Sequence, residues 1–103
     1  KHQFIEKSEL SVGKYKIDLN SKELILQDKV LKLTEKETNI IIYLSKTKDA
    51  VGIDRLQSEV WKHHSKLETH TVETHIYRLR KKILKTFNDN DFIVSKKNGY
   101  QIT

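Results

Sequence analysis

The chain has 103 residues and reads as one domain, long enough for a modest single core. Twenty Lys and Arg against 14 Asp and Glu leave a net charge of +6, a balance that favours an anionic partner such as nucleic acid or an acidic membrane surface. The absence of Cys excludes disulfides and thiolate-ligated zinc or iron–sulfur centres, and the longest apolar run, Ile40 to Leu44, is far below the roughly 20 residues that span a bilayer.

No signal-peptide pattern opens the chain, which begins at Lys1 and is expected to be a fragment of something longer. Repeats, Pro-rich linkers and low-complexity tracts are absent, so no internal boundary is expected. Residues 12–19 alternate, with Val12, Tyr15, Ile17 and Leu19 apolar, and read as a first strand. Asn20-Ser21 marks a turn, residues 23–27 a second strand, Asp28-Lys29 a turn, and residues 30–33 a third strand. The residues themselves therefore predict a small antiparallel meander.

The period changes at Thr34, where Thr34 and Glu37 have capping-box spacing and Ile40, Ile41 and Leu44 form a helical stripe. A first helix is predicted over about 35–46. Residues 46–52 read as a loop containing Val51 as a lone strand position. A second helix is predicted over about 53–62, with Ile53, Leu56 and Val60 on one face and Trp61 as core at its end. Residues 62–68 lack periodicity. A third helix follows over about 69–86, where Val72, Ile76, Leu79 and Ile83 recur as a narrow packing stripe. The last run, Asp91 to Thr103, holds two β-rich pieces around Lys97-Asn98-Gly99, and Asn-Gly is a strong hairpin signal. The plan is α+β: strands, three helices, then a hairpin, as in a winged helix-turn-helix.

With that stripe buried, the opposite face of the third helix presents His70, Glu73, Thr74, Tyr77, Arg78 and Lys81. The mixture suits base reading: Arg bridges guanine O6 and N7, Glu accepts from the cytosine amino group, and a Thr methyl meets a thymine methyl. Lys81, Lys82 and Lys85 lie nearer phosphates, adding affinity without sequence information. The structural alternative is an ordinary solvated face. Arg80 falls between the faces and is expected to brace the fold by pairing with a helix-one carboxylate such as Glu37.

Other chemistry finds little support. His63-His64 are adjacent and His70 and His75 are five apart, so neither pair shares a helix face for a metal, and no metal or other cofactor is expected. No nucleophile elbow, phosphate-cradling Gly loop or metal motif points to an enzyme.

The segments LTEKETNIIIYL, RLQSEVW, THTVETHIYRLRKKI and NGYQI, in this order and spacing, resemble the DNA-binding effector domain of OmpR/PhoB-type bacterial response regulators, over about residues 10–103. The resemblance implies a four-stranded N-terminal sheet, three helices and a hairpin wing over about 92–102. It implies base contacts from Glu73, Thr74, Tyr77 and Arg78, and phosphate contacts from Thr71, His75 and Lys81. Lys96 stands where relatives usually carry a minor-groove Arg, and a Lys is harder to dehydrate there. Lys97 replaces a common Gly, so Lys97 and Asn98 add a differently built, more basic turn. His70 replaces an Arg before Thr-Val and is expected to touch phosphate more weakly.

The resemblance further implies a cytoplasmic output domain of a two-component regulator, with an upstream receiver domain absent from this chain and a sensor histidine kinase acting on it. Its DNA would carry direct repeats, bound by tandem pairs of a domain that is monomeric when isolated. The loop of Lys62, His63, His64, Ser65 and Lys66 is a polymerase-contact candidate, with a plain solvated linker as the alternative. The N-terminal sheet either braces the core or docks a receiver or neighbouring subunit. The competing reading is a winged-helix protein-interaction module; RNA binding is disfavoured by the lack of a set of exposed aromatics for stacking.

Overall fold

The computed structural model describes residues 9–47, 49–61 and 69–102, and of residues 69 and 70 the backbone. Four strands open the fold: β1 (Glu9–Val12), β2 (Tyr15–Asp18), β3 (Glu23–Leu26) and β4 (Lys29–Lys32), paired in chain order as an antiparallel meander. Helices α1 (Glu35–Lys46), α2 (Ile53–Val60) and α3 (Thr69–Phe87) follow, and β5 (Ile93–Lys96) and β6 (Gly99–Ile102) close the chain as a hairpin.

The single strand expected over 12–19 is two strands. Val12 pairs directly with Tyr15, so both point to the core across a turn of Gly13 and Lys14. The apolar spacing of three between them is the mark of that turn, and Gly13 at φ 60° supplies the left-handed backbone. Asp18 opens the next turn, its Oδ1 accepting from the amides of Asn20 and Ser21 at 3.0 and 3.2 Å. The third turn is Gln27–Asp28 rather than Asp28–Lys29, because Gln27 takes the positive φ (56°) and Leu26 pairs with Lys29.

Helix α1 occupies the predicted residues. Thr34 Oγ1 accepts from the Glu37 amide at 3.1 Å and Glu37 Oε1 accepts from the Thr34 amide at 2.9 Å, the reciprocal cap that the spacing predicted. Helix α2 ends two residues early. Its cap, Trp61, leaves helical dihedrals (φ −109°, ψ 57°), and Lys36 of α1 reaches over to the Val60 carbonyl at 3.3 Å, satisfying one of the last acceptors. Trp61 is buried, with Lys36 5.6 Å above its ring centre.

One core joins these elements. The inward row Ile17, Leu24 and Leu31 of the sheet, Ile40, Ile41 and Leu44 of α1, Leu56 of α2 and the α3 stripe all belong to it. Val72, Ile76, Leu79 and Ile83 are at most 1% exposed, so the stripe read from the sequence is the face α3 buries. Val51 makes an isolated bridge to Tyr100, with amide–carbonyl distances of 2.8 and 2.9 Å in the two directions, which ties the hairpin to the segment between α1 and α2.

At the far end of α3, Tyr15 packs against Phe87 and Phe92 with ring centres 5.0 and 4.6 Å away. Its hydroxyl donates to Asp89 Oδ2 at 2.7 Å. Burial, reinforced by this bond to a carboxylate, pushes the Tyr15 hydroxyl well above its usual value. Burial also pushes Asp89 up, but the bonds from Tyr15 and the Asp91 amide and the nearby Lys14 outweigh it and hold the carboxyl below its usual range. Stability from Asp89 is present above the free value of about 4 and is lost as pH falls through the lowered one. Stability from Tyr15 is present below about 10 and is lost as pH rises towards the raised value. Urea unfolding of Tyr15→Phe should therefore show a loss of about 1.5–3 kcal/mol near neutrality, and shallower declines than wild type at both pH extremes. Parallel pH curves for the two proteins would refute this.

Candidate nucleic-acid interface

Helix α3 presents its outward arc because the stripe through Val72, Ile76, Leu79 and Ile83 is held by the core. At about 100° per residue, Thr74, Tyr77, Arg78, Lys81 and Lys85 fall opposite that stripe. Glu73, Tyr77, Arg78, Lys81 and Lys85 are exposed, and Thr74 is half-buried. Tyr77 is 62% exposed, so both its ring and its hydroxyl are open to solvent on this arc. Lys81 holds its ammonium 5.3 Å from the Tyr77 ring centre. The arc thus combines a phenol, a guanidinium, a carboxylate, a hydroxyl and two ammonium groups.

The two flanks of the helix differ. On one side Glu73 shares a cleft of about 530 Å³ with Gly52, Asp54 and the hairpin residues Ser95, Lys96, Lys97 and Asn98. These four hairpin residues are exposed. A duplex face against α3 would therefore meet the hairpin beside it. On the other side His75 sets its ring edge-on to Trp61, with centres 5.0 Å apart, and its Nδ1 lies 2.9 Å from the Thr71 carbonyl. A carbonyl can only accept, so Nδ1 donates, and a phosphate contact from His75 would fall to Nε2. Thr71 is half-buried beside it.

Two expectations need correction. The partner of Glu37 is Lys82, not Arg80: Lys82 Nζ lies 2.7 Å from Glu37 Oε1, and the carboxylate is buried. Arg80 is half-buried on the opposite flank, beside Asp89, Asn90, Phe92 and Ile93. Lys82 thus braces the fold through Glu37, a structural role beside the phosphate contact expected of it. On the wheel Arg80 and Lys82 sit about 70° and 90° from the stripe, so periodicity alone could not say which of them meets α1.

The hairpin turn also differs from the Asn-Gly reading. Lys96 pairs with Gly99, which makes Lys97 and Asn98 the central residues, and neither has a positive φ. The mirror-image turn that Asn-Gly signals would need it at both. Gly99 instead takes φ 148° where the hairpin backbone meets Val51. The importance of Gly99 and of Lys36 was not foreseen; an isolated Gly after Asn is the one trace of the former in the sequence.

The histidine-rich loop of Lys62, His63, His64, Ser65 and Lys66, and the His70 side chain, lie outside the described residues. Among the described residues no His, Asp and Glu group is arranged to hold a metal ion, and no helix is long and apolar enough to cross a membrane.

The family described as "Transcriptional regulatory protein, C terminal" matches residues 28–102. Among relatives, the transcriptional regulatory protein SrrA of Staphylococcus aureus is 35% identical over 68 residues, which is 65% of this chain and 28% of SrrA. The chain therefore spans about a quarter of the length of the curated relatives it matches. The DNA-binding domain of Escherichia coli CadC superposes with a TM-score of 0.80 at 22% identity, covering 94% of this chain and 92% of that one. The DNA-binding domain of Klebsiella pneumoniae RstA, solved in complex with the RstA box, gives 0.72 at 21% identity over 92% and 96%. At those identities the two structures speak for the fold, the winged helix. With the family match over most of the chain and the sheet, three helices and wing in place, this chain belongs to the OmpR/PhoB-type transcriptional regulatory protein C-terminal domains.

Proposed function

We propose that this domain binds double-stranded DNA sequence-specifically as the output module of a two-component transcriptional regulator. The observation that carries the reading is the outward arc of α3, exposed, chemically mixed and flanked by a basic hairpin. The α3 helix enters the major groove. Glu73, Thr74, Tyr77 and Arg78 meet base edges; Thr71, Lys81 and Lys85, with His70 and His75, meet phosphates. Lys96, Lys97 and Asn98 of the wing reach the adjacent minor groove. The family membership and the RstA domain's complex with its box support this assignment.

The rest of the regulator is inferred with it. A receiver domain answering a sensor histidine kinase lies outside this chain, and the protein acts in the cytoplasm. Two copies bind direct repeats in tandem while the isolated domain is monomeric, and the 62–66 loop faces RNA polymerase. The domain supplies recognition and no catalytic chemistry.

Fluorescence anisotropy against a duplex selected from a random pool, with a random-sequence duplex beside it, tests the assignment. Wild-type affinity should fall steeply with salt, by about 0.9 in log K per phosphate contact for each unit of log salt. Arg78→Ala should cost about 1–3 kcal/mol on the selected duplex and little on the random one. Lys81→Ala should weaken both alike and reduce the salt slope by about one. Salt-independent binding, or equal affinity for both duplexes, would remove the DNA-reading function. If the two variants behaved identically, the division between base and phosphate roles would be wrong.

A further inference from the structure

Tyr77 and Lys81 are one helical turn apart on the exposed arc, and the Lys81 ammonium stands 5.3 Å from the Tyr77 ring centre. Tyr77 is 62% exposed and Lys81 is exposed, so the pair is presented as a unit rather than packed into the core. An ammonium over an aromatic face is attracted by the ring quadrupole, and that attraction does not need the hydroxyl. A lysine gripping phosphate must surrender rotamer freedom, and one already held over a ring has surrendered part of it.

We propose that Tyr77 is a positioning residue for Lys81: its ring holds the ammonium ready for a phosphate, while its hydroxyl remains for a base edge. The inference rests on the DNA reading above. It divides Tyr77 by atom, giving the ring to affinity and the hydroxyl to discrimination. Lys81 is then worth more in the presence of the ring than without it, although the two residues contact different parts of the duplex.

A double-mutant cycle on the whole 103-residue chain tests this, with fluorescein-labelled random-sequence and selected duplexes titrated across a range of KCl. Lys81→Ala should weaken random-duplex binding about two- to five-fold more in wild type than in a Tyr77→Leu background, the range expected for an exposed cation over a ring. Tyr77→Phe should restore the full effect of Lys81→Ala and the wild-type salt slope. It should also narrow the difference between selected and random duplexes. An equal Lys81→Ala effect in the wild-type and Leu backgrounds, or a larger one with Leu, would overturn the proposal, as would failure of Phe to restore it. A wild-type domain that binds neither duplex would overturn the DNA reading itself, and with it this inference, and is distinguishable from additivity in a domain that binds.

Discussion

Gly99→Ala is expected to destabilise the domain by about 3 kcal/mol, adding backbone strain to steric overlap. A Cβ at this position would stand 2.1 Å from the Val51 carbonyl oxygen, 2.3 Å from its carbon and 2.7 Å from the Gly52 nitrogen. All three are backbone atoms, so no side chain can swing aside. The φ of 148° adds a conformation that residues with a Cβ rarely adopt. Relief requires the hairpin to move away from Val51, which breaks the pair of hydrogen bonds between Val51 and Tyr100. Gly52→Ala is the control: its nearest contact is the Asn98 carbonyl oxygen at 3.6 Å, an ordinary distance. Urea unfolding should separate the two variants clearly, and Gly99→Ala should also lose duplex affinity as the wing comes loose. A Gly99→Ala midpoint equal to wild type would show that the bridge does not hold the wing.

Lys82→Met is expected to cost about 2 kcal/mol of stability. The value lies below the 3–5 kcal/mol typical of breaking a fully buried pair, because the Lys82 side chain is 35% exposed and water screens part of the interaction. Glu37 is 4% exposed, and its Oε1 serves both the Thr34 amide and Lys82. Losing the ammonium leaves a carboxylate inside the fold with one partner fewer. Glu37→Gln keeps an oxygen for the α1 cap and removes the charge, so the double variant Glu37→Gln/Lys82→Met should lose less than the sum of the two singles. Lys81→Met, one residue away, should stay within about 0.5 kcal/mol of wild type because that side chain is exposed. Denaturant melts of the four variants and the wild type check the energies. A drop of about one in the salt slope for Lys82→Met would show that Lys82 contacts a phosphate as well as Glu37.

These two residues mark where local sequence pattern ceases to decide the structure. Val72, Ile76, Leu79 and Ile83 identified the buried face of α3 because an amphipathic helix carries its own period. Thr34 and Glu37 located the start of α1 because a capping box lies within four residues. The exposed arc followed from the stripe by subtraction. Lys82 and Arg80 flank that stripe at similar angles, and which flank meets Glu37 depends on how α3 is rotated against α1. The split of the first strand at Gly13 was legible in principle, as a three-residue apolar spacing, but near-alternation hid it. Gly99 looked like half of a turn signal and is instead the point where two backbones touch.

The sequence by itself determined the order of elements, the helix faces and the family, because these depend on local period, local hydrogen bonds and motif spacing. Tertiary structure alone decided that Lys82 braces the fold, that Gly99 cannot carry a Cβ, and that Lys81 and Tyr77 share a contact on the exposed arc of α3. Each of those facts depends on distances between atoms: the first two join distant parts of the chain, and the third follows the rotamers of two surface side chains. The physical reason is common to them: a linear pattern specifies which face a residue occupies, whereas its partner is set when that face is pressed against, or bent over, a neighbour.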